Sequence, residues 1–252
     1  MMGKFYLLFV IIFVLDSSLA LAAKGQKTGH RRFRFSAMAG QNKYTSTSWA
    51  TNAKTEYENL EPAARLELDF WYGRKIGMFF EGEGILARVN LNPQIYYAHY
   101  GASLAFRVLG NGTFDSSEFV IAAGPQIQYF PEVRGYVGRN PYDLLRQQLL
   151  GFKGETQIRI KLSKSVMLHL EGYWVRPYKI RVITTSLSKL ETRSTGGFLL
   201  LEHSISKKSS VGLGGAIDYK RLSHRPSTNE IGRQQTVDMQ FTSLIFSVLF
   251  SF

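Results

Sequence analysis

The stretch FTSLIFSVLFSF, from Phe241 to Phe252, sets the strongest limit on what this chain can become. Leu244, Phe246, Val248, Phe250 and Phe252 share one parity, while Ser243, Ser247 and Ser251 share the other with Ile245 and Leu249. A strand sends alternate side chains to opposite faces, so the segment carries one continuous apolar face and one small, mostly polar face. Something apolar has to cover the first of these, because a bare row of Phe and Leu is unfavourable in water.

The same two-residue rhythm recurs along the chain. Phe33, Phe35, Ala37 and Ala39 lie on one face of Arg32–Gly40. In ARLELDFWYG, Ala64, Leu66, Leu68, Phe70 and Tyr72 oppose Arg65, Glu67, Asp69 and Trp71. Ile76, Met78 and Phe80 then alternate with Glu81 and Glu83, and the run from Tyr96 to Val108 alternates with His99, Ser103 and Arg107. Further segments follow at Phe119–Phe130, Gln148–Leu162, Val166–Trp174, Thr195–Ser206, Val211–Arg221 and from Thr236 onward. That predicts ten strands, an even number. Two places strain the pattern. Pro125 falls inside a strand, where its missing N–H breaks the ladder unless there is a bulge. Glu202 and His203 have opposite parity, and His203, near Lys207-Lys208, is the better choice for the outward face.

Connections alternate in length. Turns near 73–75, 163–165 and 207–210 are short and 109–117 is moderate, whereas 41–63, 131–147, 175–194 and 222–235 read as longer loops. Composition bears on the choice between a soluble sandwich and a membrane barrel. Only 44% of residues are hydrophobic and 20% are charged, so a membrane protein of this composition must alternate lipid-facing with water-facing residues. A sandwich also gives short alternating strands. It has no ready place for Lys153, Glu155, Arg159 and Lys161 on one face against a continuous apolar opposite face. The pattern predicts an all-β fold, a transmembrane antiparallel up-and-down β-barrel of about ten strands.

Near the start, Lys4 precedes the apolar run FYLLFVIIFVL, and Ala20-Leu21-Ala22 is a small-residue cleavage pattern. The run is about half the ~20 residues that a helical span requires. Residues 1–22 therefore read as a secretory signal peptide, with 23–252 as the barrel domain. There is no cysteine, so disulfides contribute nothing to stability.

The terminal alternation of Leu244, Phe246, Val248, Phe250 and Phe252 resembles the C-terminal assembly signal of Gram-negative outer-membrane β-barrels. The resemblance implies export, insertion into the outer membrane by the assembly machinery, short periplasmic turns and longer extracellular loops. It implies no activity. Ten-stranded barrels include the omptin proteases, whose Asp-x-Asp and Asp-x-His elements have no match here. Glu81-Gly82-Glu83 has the spacing but not the residue type. Nor does Glu202-His203-Ser204-Ile205 match the His-x-Ser element of lipid A deacylases.

The predicted inward face is densely charged. Arg65, Glu67, Asp69, Glu81, Glu83, Arg107, Lys153, Glu155, Arg159 and Glu171 form the expected lumenal charge network. Buried charges need partners, so a salt-bridged plug is the expectation for so narrow a barrel. Antiparallel register puts Glu67 opposite Glu81, a candidate acid/base pair unless a cation stands between them. His99 and His169 are single inward histidines, and no metal-ligand spacing or cofactor motif is present.

Net charge is +12, with basic residues concentrated in predicted outer segments. Arg176, Lys179, Arg181, Arg221 and Arg225 are the expected contacts for lipopolysaccharide phosphates or another anion. An exported barrel would seldom meet nucleic acid, and nothing in the sequence requires more than a monomer. Three functional readings stand: a structural or surface-interaction barrel, a narrow pore for small polar or anionic solutes, and a membrane-embedded hydrolase using Glu67 and Glu81.

Overall fold

The computed structural model describes residues 30–48, 54–88, 94–111, 116–134, 143–181, 187–226 and 235–252. The expected signal peptide, 1–22, lies outside them. Ten antiparallel strands close into one barrel: β1 (Arg31–Ser48), β2 (Lys54–Tyr72), β3 (Ile76–Arg88), β4 (Gln94–Leu109), β5 (Glu118–Arg134), β6 (Asp143–Lys161), β7 (Val166–Arg181), β8 (Leu187–Ser206), β9 (Ser209–Pro226) and β10 (Gln235–Ser251). Each strand pairs with its sequence neighbours, and β1 closes on β10 in unbroken register from Arg32↔Ser251 to Ser48↔Gln235. Closure leaves no unpaired edge, as a membrane interior requires.

Three connections at the end holding Arg31 and Ser251 are tight and chemically specified. Gly73 takes φ 73°, the left-handed region that favours glycine, in the β2–β3 turn. In the β6–β7 turn the Ser163 hydroxyl accepts from the Val166 N–H at 3.1 Å. Lys207-Lys208 alone joins β8 to β9, with the Ser206 hydroxyl accepting from the Lys208 N–H at 3.1 Å.

At Pro125 the ladder breaks and no bulge forms. Pro125 sits on the outward face of β5, paired with Phe152 of β6. On the β4 side the ladder lapses between Gly101↔Gln126 and Leu104↔Ala123 and resumes in the same register. The missing N–H is absorbed by a gap, and the register shift comes later, between Arg107 and Leu109.

Long outer loops are also corrected. β1 continues to Ser48 and β2 begins at Lys54, so most of 41–63 is strand; the same holds for most of 175–194, and β9 runs on to Pro226. The reason is an inversion of polarity along single strands. In the lower part of β10, Leu244, Phe246 and Phe250 point outward and are exposed, while Ser243 and Ser247 are buried. Higher up, Val237, Met239 and Phe241 point inward and are buried, and Gln240 lies on the outward face. The β2 strand behaves likewise: Leu66 and Tyr72 are exposed in its lower part, and Lys54, Glu56 and Glu58 are exposed in its upper part. A 19-residue strand such as β2 is about 60 Å long, which at ~45° tilt rises well beyond a ~25 Å apolar band. The lower barrel has a membrane protein's polarity; the upper barrel has that of a water-soluble one.

Exposed outward residues mark the band. Tyr72, Phe106 and Phe252 stand at its lower edge. Tyr100, Trp174 and Tyr178 stand at its upper edge, with the Tyr100 hydroxyl 2.6 Å from that of Tyr129. Leu201 lies between these edges and is half exposed. Leu201→Arg should destabilise the bilayer-inserted barrel by about 2–4 kcal/mol. Gln41→Arg, on the polar outer wall, should change it by less than ~0.5 kcal/mol. Urea midpoints in lipid vesicles test both; equal effects would remove the assigned band.

Candidate functional site

Three layers fill the lumen. At the turn end, Trp71, Phe79, Ala105, Val120 and Ala122 form an apolar floor, and the Arg107 guanidinium lies 3.6 Å above the centre of the Trp71 ring. At the far end Tyr44, Ile85, Tyr97, Phe130, Leu149, Leu222, Val237, Met239 and Phe241 form an apolar cap, which the sequence reading did not anticipate. Between them lies a belt of charged groups.

The belt is two linked clusters. In the lower one, Glu118 accepts from Arg107 Nε at 3.0 Å and also binds Arg32 and Arg159. Glu202 accepts from Arg34 at 2.6 Å and from Arg159 at 3.0 Å, with His169 Nδ1 at 3.3 Å. In the upper one, Lys153 Nζ lies 2.6 Å from Glu81 and 2.5 Å from Glu155, while Arg65 reaches Glu67, Glu81 and Glu171. The Gln126 amide donates to Glu81 at 2.9 Å, and Lys220 Nζ lies 3.7 Å from Glu83. Tyr173 donates to Asp218.

Every residue expected in the lumenal network lies on the inward face. Arg65, Glu67, Glu83, Arg107, Lys153, Glu155, Arg159 and Glu171 are buried; Asp69 and Glu81 are part-buried. Asp69 sits opposite Arg32 in the β1–β2 register. Arg32 and Glu118 belong to the belt but were not singled out from the sequence, and Glu202, the inward choice over His203, joins them. Parity could have found the first two, since each flanks an outward apolar residue: Phe33 and Phe119. Lys161, which parity placed inward, is exposed at the turn end.

Glu67 and Glu81 are direct register partners, and each is held by cations. Arg65 contacts both, with Nε 2.7 Å from Glu67, Arg34 adds a bond of 3.0 Å to Glu67, and Lys153 binds Glu81. Each carboxylate thus has its own cations, the arrangement of a salt-bridged plug. Oxygen atoms of Glu81, Glu155 and Glu171 converge within 4.8 Å, a donor set of the type that hard cations favour. The Lys153 ammonium, bound to two of these carboxylates, stands where such an ion would sit.

On the outer wall, Arg176 and Arg221 belong to strands β7 and β9, not to loops, and both are exposed. Lys179, Arg181 and Arg225 are also in these strands, with side chains outside the described residues.

No protein-family model matches the chain, and no curated protein matches it in sequence. Solved structures do. The outer membrane protease OmpT from Escherichia coli aligns with a TM-score of 0.52 at 9% identity, over 90% of this chain and 97% of that one. The outer membrane protein OprG from Pseudomonas aeruginosa aligns with a TM-score of 0.40 at 10% identity, over 90% of this chain and 98% of that one. An outer membrane channel from Pseudomonas putida F1 aligns with a TM-score of 0.42 at 12% identity, over 90% and 97%. At such identities the likeness is one of fold. The chain has the fold of the outer-membrane β-barrels, closed by ten antiparallel strands.

Proposed function

We propose that this is an exported outer-membrane barrel with a closed lumen, acting as a structural and surface-interaction protein. On this reading residues 1–22 direct export. Leu244, Phe246, Val248, Phe250 and Phe252 present the assembly signal, and the turn end faces the periplasm. The upper barrel then stands in the extracellular medium as a rigid polar pedestal. Its basic wall and strand ends, from Arg176, Lys179 and Arg181 to Arg221 and Arg225, face the phosphates of the outer leaflet.

The observation that carries this reading is burial inside the barrel. Side chains lining a water-filled channel would be solvent-accessible, whereas Arg107, Lys153, His169 and Lys220 are each only 1% exposed and Phe241 is fully buried. A dry ionic belt under an apolar cap holds strands in register and offers permeant ions no hydrated path. The pore reading has no comparable support.

Single-channel recording in planar bilayers tests the proposal. The expected result is no steady conductance above the lipid baseline. Reproducible open-channel steps carried by the purified, heat-modifiable protein would replace the closed barrel with a pore.

A further inference from the structure

The outward wall over β7, β8 and β9 carries an ordered grid of side chains. Its lowest row is Gly172, Gly197 and Ile217, joined by the pairs Gly172↔Gly197 and Gly197↔Ile217. Two residues farther along each strand lie Trp174, Thr195 and Tyr219, joined by Trp174↔Thr195 and Thr195↔Tyr219. Two residues farther again come Arg176, Arg193 and Arg221. Arg193 pairs with Arg221, and Arg176 falls beside Arg193 one step beyond Val175↔Ser194.

Each row has its own chemistry. All three arginines are exposed. Like charges directly opposite on neighbouring strands repel, and neighbouring strands are only about 5 Å apart. The Asp238 carboxylate, 3.6 Å from Arg221 Nε, flanks just one end of the row. Among the described residues no carboxylate pairs with Arg176 or Arg193. The opposite side of the barrel is different: there Lys43 pairs with Glu58 and Lys54 with Glu56. Among the described residues this flank therefore carries excess positive charge just above Trp174, and Tyr178 stands two residues beyond Arg176 on β7.

Below the arginines the wall recedes. A Cβ added to Gly172 would meet no atom within 4 Å, so open space lies over that position. Trp174, Leu199 and Ile217, each about half exposed, border this shallow trough on its sides. Cationic forks above, an aromatic shelf at the interface and an apolar trough beneath match one kind of occupant.

We propose that this grid binds a single phosphorylated glycolipid of the outer leaflet, its phosphates on Arg176, Arg193 and Arg221 and one acyl chain along the Gly172–Gly197 trough. The inference rests on the membrane reading above and adds a discrete site on the strand wall. Guanidinium forks suit phosphate oxygens because two parallel N–H donors meet two acceptors. A bridging phosphate also removes the repulsion between adjacent arginines. Lipid recognition by this flank alone would orient the barrel relative to its lipid neighbours.

Native mass spectrometry of the full-length barrel in detergent, titrated with diphosphoryl lipid A, tests the site. The wild type should retain one lipid, and inorganic phosphate should bind far more weakly. Each of Arg176→Gln, Arg193→Gln and Arg221→Gln should weaken retention about tenfold, the value of a charge-assisted hydrogen bond. Gly172→Val fills the trough and should weaken retention with every arginine in place. Lys43→Gln with Lys54→Gln, on the opposite flank, should leave it unchanged. An unboiled gel shift shows that each variant is folded. A folded triple arginine variant that keeps the lipid overturns the site, as does equal retention of dephosphorylated lipid A. Equally tight inorganic phosphate overturns the lipid assignment. None of these results touches the membrane reading, which fails separately if the wild type does not partition into membranes.

Discussion

Glu118→Ala is expected to destabilise the folded barrel by about 3–5 kcal/mol. Glu118 is the shared anion for Arg32, Arg107 and Arg159, all of them buried. Its removal leaves three buried guanidinium groups, and among the described residues Arg159 keeps a salt bridge to a second anion, Glu202 at 3.0 Å. An uncompensated buried charge costs more than the pair ever contributed, because the desolvation remains when the attraction is gone. Adding Arg32→Met should recover part of the loss, since the most dependent cation is then removed as well. Urea unfolding of the vesicle-inserted protein, followed by the unboiled gel shift, measures both variants. A loss below ~1 kcal/mol would mean that water hydrates the cluster, and the closed lumen would fall with it.

Phe241→Ala should cost about 3–5 kcal/mol for a different reason. Phe241 is fully buried in the apolar cap with Val237, Met239 and Leu222. Truncation there opens a cavity between strands held in fixed register, so the wall cannot collapse to fill it. Phe246→Ala removes the same ring from the lipid side of the same strand, where Phe246 is 48% exposed. Acyl chains are fluid and refill the space, so the expected cost is nearer ~1 kcal/mol. The contrast between the two phenylalanines is the measurement. Equal costs would show that the upper lumen is not a packed core.

Much of the candidate site can be read from parity. Register across the Gly73 turn places Glu67 against Glu81 and Arg65 against Glu83, as the pairing has it. Parity cannot tell which cation reaches which carboxylate. Arg65 meets Glu171 across 106 residues of sequence, and Arg34 meets Glu202 across 168. Closure of the barrel sets these neighbours, and no local pattern records them. The outer wall was misread for another reason. Strand ends were placed where the outward apolar run stops, but the period of two continues with its phase reversed. Arg176, just past the end of the Val166–Trp174 segment, accordingly reads as loop.

By itself the sequence determined the class of fold, because a two-residue period with one oily face allows few arrangements other than a barrel in lipid. It also pointed to about ten strands and to most of the charges that turn inward, since parity along a strand is a local property. Only the tertiary structure decided that the upper lumen is packed with apolar side chains, that Arg65 and Lys153 neutralise the facing glutamates, and that three arginines share one flank. Those facts depend on which strands become neighbours and how far each rises past the bilayer. Both are set by closure and shear of the whole sheet, which no single strand encodes.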